Sequence, residues 1–194
     1  DPVNYEPDLS ECIGARATAL SVDPINYLYD FLLEDGGSRF ASLSAVDLPA
    51  RMEVLHEMLL HPSTVTGLSD AGAHVTLICD GSMPTTQLTY WTRDRQKGEK
   101  IPLEFIVRKQ TALNAELYGF NDRGTLEVGK RADLNVIDHQ ELKVSPPVPH
   151  ADLPKGGTRL MQPVNGYINT LCNGISIRDF DEDTGSRPGR LVRS

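Results

Sequence analysis

The periodicity of the chain changes once, near Gly124, and this change limits the possible folds more than any other feature. Before it, apolar residues recur at helical spacing. Asp23-Pro24 supplies an N-cap and a first-turn proline, Ile25, Leu28, Leu32 and Leu33 are spaced for one buried face, and Gly36-Gly37 stops the run. Upstream, DPVNYEPDLS reads as an entry loop, and ECIGARATAL as a short helix ending near Ser21. Met52, Leu55 and Leu59 lie on one stripe of a helix over Arg51 to Leu60, which His61-Pro62 ends. From Pro102 a helical pattern runs through Leu103, Ile106, Val107, Leu113 and Leu117 to a capping glycine, Gly119.

Beyond Gly124 the pattern is one of strands and turns. Ala132 to Ile137 is apolar and extended, Ser145 to Pro149 is proline-rich, and Asp152 to Gly157 reads as loop. Tyr167 to Cys172 and Ile175 to Ile177 flank Asn173-Gly174, the dipeptide favoured for a type I′ hairpin turn. Between the helices, the β-branched run Thr64 to Leu68 leads into Ser69-Asp70-Ala71-Gly72-Ala73-His74. A helix, a short buried strand and a glycine-bearing polar loop form a phrase of a βα barrel, so the expected class is α/β.

Composition narrows the partners. With 194 residues, of which 39% are hydrophobic and 24% charged, the chain has the make-up of an ordinary globular protein with a core for one or two domains. A net charge of −8 argues against nucleic acid and against an anionic membrane surface, both of which need a basic face to replace counterions; a small-molecule substrate fits better. No apolar run approaches the roughly 18 to 20 residues that span a bilayer. Cys12, Cys79 and Cys172 are odd in number and far apart, which suggests neither a disulfide framework nor a thiolate zinc cluster. They read as small core hydrophobes in a reducing, cytoplasmic setting.

Three segments carry a family likeness. GTLEVGKRADLNVID, Gly124 to Asp138, resembles the element of the amidohydrolase superfamily that leaves the catalytic barrel and enters a small β-sandwich. VTGLSDAGAHV, Val65 to Val75, resembles the last barrel strand with its metal-site aspartate. ICDGSMPTTQLTYWTRDR, DLPKGGTRLMQ and TGSRPGRLVR are similar to the branch of D-aminoacylases and N-acyl-D-amino-acid deacylases. The resemblance implies the C-terminal portion of a (β/α)8 TIM-like barrel over residues 1–124, then a β-sandwich segment over 125–194. The superfamily's zinc site also needs a His-x-His pair and further histidines. This chain has only His56, His61, His74, His139 and His150, none of them in such a pair. The resemblance therefore implies that the N-terminal part of the barrel lies outside these residues, and that this chain alone is inactive and holds no catalytic zinc tightly.

The same resemblance assigns Asp70 to the metal and to catalysis, and puts Ser69, Gly72 and His74 on the substrate side. A carboxylate at the C-terminal end of a barrel strand stands where substrates bind, and one touching metal-bound water can carry its proton to the leaving nitrogen. On residue type alone, Ser69-Asp70 equally well caps the following turn. His74 either orients Asp70 and meets substrate or is a loop histidine bonded to backbone. Gly72 lets backbone approach closely, supplies a positive φ, or is a plain turn glycine. Asp80, Thr85 and Arg93 to Arg95 are candidates for an acyl or carboxylate group, although a solvated helix face accounts better for the arginines. His139 and His150 read as surface or hinge residues. The expected reaction is hydrolysis of an N-acyl-D-amino acid. The alternatives are a cyclic amide of the hydantoinase or dihydroorotase kind, or a non-catalytic module that completes another chain.

Overall fold

A computed structural model describes residues 4–39, 41, 48–67 and 69–192, with only the backbone for 48–51. The chain divides into two compact units, Val3–Met58 and Leu59–Ser194. The change from helix to strand near Gly124 falls inside the second.

In the first unit, helix α1 (Ile13–Leu20) closes on Ser21 in the left-handed region (φ 55°), and Ser21 N–H and Val22 N–H return to the carbonyls of Thr18 and Ala17. Asp23 then caps α2 (Pro24–Gly37), its carboxylate accepting from Ile25 N–H at 3.0 Å and Asn26 N–H at 3.1 Å. The regular helical turns end before the expected glycine stop, because Glu34 is already extended (ψ 153°) and Asp35 is left-handed (φ 52°). The expected buried face of α2 is not buried. Ile25 is 75% and Leu33 56% exposed, with Leu32 also exposed and Leu28 only half-buried. Apolar spacing determines which side of a helix is greasy; it does not supply what covers that side. Helix α3 (Leu48–Leu60) does bury Met52, leaves Leu55 and Leu59 half-buried, and stops at His61-Pro62 as expected.

The second unit has its core where helices meet strands. Helix α4 (Met83–Thr89) continues into a π-turn, Tyr90–Asp94, and α5 (Leu103–Gln110) is separated from α6 (Ala112–Leu117) by a break at Thr111. Leu88, Trp91, Ile101, Ile106, Ala115 and Leu142 are buried together with the Tyr90 ring, which meets Trp91 edge-on at 5.2 Å. Phe120 N–H returns to the Ala115 carbonyl past left-handed Gly119, the expected stop.

All strand pairs among the described residues are antiparallel. β1 (Leu134–Ile137), β6 (Tyr167–Cys172), β7 (Ile175–Asp179) and β8 (Glu182–Asp183) form one sheet in the order β1-β6-β7-β8. β2 (Lys143–Val144) pairs with β5 (Val164–Asn165), and β3 (Val148–Leu153) with β4 (Gly157–Met161). The β6–β7 hairpin turns on Asn173 (φ 52°) and Gly174 (φ 78°), the double positive φ that Asn-Gly favours. Replacing Asn173 by Ala keeps the strands but puts a residue averse to this region at the turn. The unfolding free energy should fall by about 1–2 kcal/mol, read from urea denaturation. An unchanged midpoint would remove the turn's conformational demand as the reason for asparagine.

Two sequence expectations fail here. Thr64 to Gly67, the described part of the expected barrel strand, joins none of the strand pairs among the described residues, and Leu68 lies outside the described residues. The run bonds to helices α5 and α6 through the Thr64 carbonyl and the Thr64 and Thr66 hydroxyls. Conversely, the β3–β4 hairpin of Val148 to Met161, around Pro154–Gly156, takes in the end of Ser145 to Pro149, read as proline-rich, and all of Asp152 to Gly157, read as loop. Its strands are mostly exposed and so lack the alternation that marks a half-buried strand, and Asp152 and Arg159 join them by a paired contact at 2.7 and 2.8 Å. Arg159 holds the Asp152 carboxyl below the usual carboxylate range.

Candidate functional site

The loop Ser69–Val75 passes through the left-handed region at three alternate positions: Asp70 (φ 50°), Gly72 (φ 100°) and His74 (φ 47°). Asp and His enter this region more often than most side chains do, yet any non-glycine residue there costs conformational energy, so the loop carries local strain that its surroundings must hold in place. A Cβ at Gly72 would meet nothing within 4 Å, which means the glycine serves the backbone angle and not a close approach. Asp70, Gly72 and His74 are exposed and Ser69 is half-buried, so the chain puts the four on one loop open to solvent. The His74 carbonyl accepts from Leu77 N–H at 2.8 Å and Ile78 N–H at 2.9 Å, which closes the far end of the loop.

Downstream sequence packs against this loop. Ala71 lies beside Gly81 in the 3₁₀ turn Asp80–Ser82, and Val75 accepts from Leu160 N–H of β4 at 2.7 Å. Ser82 hydrogen-bonds Gln162, and Thr85, 5% exposed, shares a 2.9 Å hydrogen bond with the Tyr167 hydroxyl. Segments around positions 70, 82 and 160 thus converge although 80 or more residues separate the bonded pairs. Thr85 is spent on this seam. Asp80 is half-buried beside Cys79, whose thiol is pushed up by burial and then by the Asp80 carboxylate.

The arginines belong neither to a ligand site nor to a solvated helix face. Arg93 donates to the carbonyls of His139, Gln140 and Leu142, while the Asp94 carboxylate grips it at 2.6 and 2.9 Å. Arg95 is 1% exposed, lies 5.0 Å over the Trp91 ring and donates to the Glu99 carbonyl at 2.9 Å. These guanidiniums satisfy backbone acceptors where a helix meets a loop. His139 is half-buried and its Nε2 lies 3.1 Å from the Leu88 carbonyl and 2.9 Å from Thr92 Oγ1, so it joins that seam; His150 is exposed. Cys12 is exposed, against the expectation of a small core residue, and Cys79 and Cys172 are half-buried.

Sequence reasoning missed Lys109 and Asn114, which hold the segment leading into the loop. Thr64 and Thr66 bond to them across more than forty residues. The signal was a lysine three positions after Ile106, on the buried stripe of α5.

Among the described residues no group of three or more His, Cys, Asp and Glu side chains is placed to hold a metal ion. Asp70 and His74 fall short of the three protein ligands usual at catalytic zinc, so these residues alone do not fit the metal that the resemblance implies. No described helix is long and apolar enough to cross a membrane.

Residues 29–175 match the profile of the amidohydrolase family. The chain belongs to that family. The match extends from α2 through the Ser69–Val75 loop to the start of β7, so both the loop and the elements that pack on it lie within amidohydrolase sequence. Uncharacterized proteins of Mycobacterium bovis and of two strains of Mycobacterium tuberculosis are 30% identical over 139 residues, which is 71% of this chain and 22% of each relative. This amidohydrolase chain therefore spans about a fifth of the length of the curated relatives it matches. No solved structure matches it.

Proposed function

We propose that these residues form the C-terminal part of a metal-dependent amidohydrolase that hydrolyses a non-peptide C–N bond, with an N-acyl-D-amino acid as substrate. Family membership supports hydrolysis of an amide-type bond. The observation that carries the finer reading is the convergence of the Ser69–Val75 loop with two segments similar to the deacylase branch: Val75 meets Leu160, Ala71 lies beside Gly81, and Ser82 joins the two segments through Gln162. In this reading residues 1–124 belong to a TIM-like barrel and 125–194 to a composite β-sandwich, and chain outside these residues contributes the rest of the barrel and the zinc ligands.

The chemistry falls to Asp70. Its carboxylate accepts a proton from the attacking water as oxygen bonds to the acyl carbon, then gives that proton to the nitrogen as the C–N bond breaks, releasing carboxylate and free amine. Ser69, Gly72 and His74 lie on the substrate side of the same loop. The strained φ values at Asp70 and His74 suit a loop held for function, because backbone strain tends to gather at functional sites.

A second reading applies to the 194 residues by themselves. The exposure of Asp70 and His74 favours a module without turnover of its own. Both readings are tested by assaying the full-length polypeptide and the 194-residue chain against N-acetyl-D-amino acids, their L enantiomers, and a hydantoin. Amine release from the D substrates by the longer protein alone is the expected result. Ring opening of the hydantoin in its place would move the protein to the cyclic-amide hydrolases, and turnover of neither class would sink the hydrolytic reading.

A further inference from the structure

We propose that Lys109 is a positioning residue for the Asp70 loop: its side chain ties helix α5 to the segment that delivers Ser69 and Asp70. The proposal rests on the reading of Asp70 as the proton carrier. Lys109 is 1% exposed, an unusual place for a lysine, since burying an ammonium is unfavourable unless its protons find acceptors. Here they do. Nζ donates to the Thr64 carbonyl at 2.7 Å, to Thr64 Oγ1 at 2.8 Å and, longer, to the His61 carbonyl at 3.5 Å, so its three protons face three acceptors. Among the described residues none of its hydrogen bonds goes to a carboxylate, so the cation serves the backbone and not an ion pair.

The tie is reinforced in both directions. Thr66 Oγ1 donates to the Lys109 carbonyl at 3.3 Å and accepts from Asn114 Nδ2 of α6 at 3.1 Å. Helices α5 and α6 thus meet this segment at the Thr64 carbonyl and at the Thr64 and Thr66 hydroxyls. Thr66 stands four residues before Asp70. A shift there changes where the carboxylate stands, and proton transfer needs heavy atoms within hydrogen-bond reach. Charge-assisted bonds are the stronger kind, which suits an ammonium to this task better than a neutral donor.

The test uses the full-length polypeptide with Lys109→Met, and with Thr64→Ala as a milder variant that withdraws one acceptor. Hydrogen exchange of amides in residues 61–75 should quicken about tenfold in Lys109→Met, and less in Thr64→Ala, while the β6–β7 hairpin keeps its rate. For N-acyl-D-amino acid hydrolysis, kcat should fall about 10- to 100-fold with KM within about twofold, the mark of a displaced catalytic group and not of weakened substrate binding. Exchange in 61–75 unchanged in folded Lys109→Met, exchange quickened evenly over the molecule, or an unchanged kcat would each overturn the proposal. Should Lys109→Met not fold, the same readouts on Thr64→Ala decide. A wild type without turnover would defeat the hydrolytic reading, and exchange would still decide the tie; an active wild type matched by Lys109→Met would defeat the tie alone.

Discussion

In the full-length polypeptide, Asp70→Asn is expected to lower the turnover number by about 10² to 10⁴ while the fold survives. The fold should survive because of the backbone at this position. Asp70 sits in the left-handed region, and asparagine occupies that region at least as readily as aspartate. The side chain is exposed and nearly the same size in the variant, so no cavity or clash is created. What changes is the proton: an amide oxygen cannot take one from water at neutral pH and pass it to a leaving nitrogen. Circular dichroism, metal content and kcat measured on the same preparation separate loss of chemistry from loss of metal. A fully metallated Asn variant hydrolysing N-acyl-D-amino acids at the wild-type rate would make Asp70 a turn residue.

Gly166→Ala should be the most destabilising single methyl in the second unit, with a loss of about 2–6 kcal/mol. Two costs add. Gly166 has φ +103°, which an L side chain adopts only under strain. In addition, a Cβ there would stand 2.6 Å from Leu142 Cα, 2.8 Å from Leu142 N and 3.1 Å from the Asp138 carbonyl oxygen, all of them backbone atoms that cannot rotate away. Leu142 is fully buried, and Asp138 N–H donates to the Gly166 carbonyl at 2.8 Å, so the approach joins the end of β1 to the start of β6 through the core. Gly185→Ala is the control. Its φ of +76° carries the conformational cost, but nothing lies within 4 Å of the added methyl, and a loss of about 1 kcal/mol is expected. Equal shifts of the urea midpoint for both variants would show that the close approach costs nothing.

What the sequence determined by itself was local. The Asp23 cap, the left-handed stop at Gly119, the Asn173-Gly174 turn and the passage from helices to strands near Gly124 all depend on residues within about one turn of each other. Side-chain type and spacing decide such features before any long-range contact forms. The stretch Ser69–His74 was legible as a glycine-bearing polar loop, with a positive φ at Gly72 one of three readings that the residues left open. What only the tertiary structure decided involves partners distant in the chain. Arg93 serves carbonyls 46 to 49 residues away, Lys109 reaches back 45 residues to Thr64, and Ser82 meets Gln162 across 80. A guanidinium has the same pattern in sequence whether it awaits a substrate carboxylate or fills a row of backbone acceptors, and only the packing chooses between them. The same holds for strands. Thr64 to Gly67 has β-branched residues yet joins no strand pair among the described residues, whereas Val148 to Met161 pairs despite its prolines, because a ladder belongs to two segments and neither encodes the other's position.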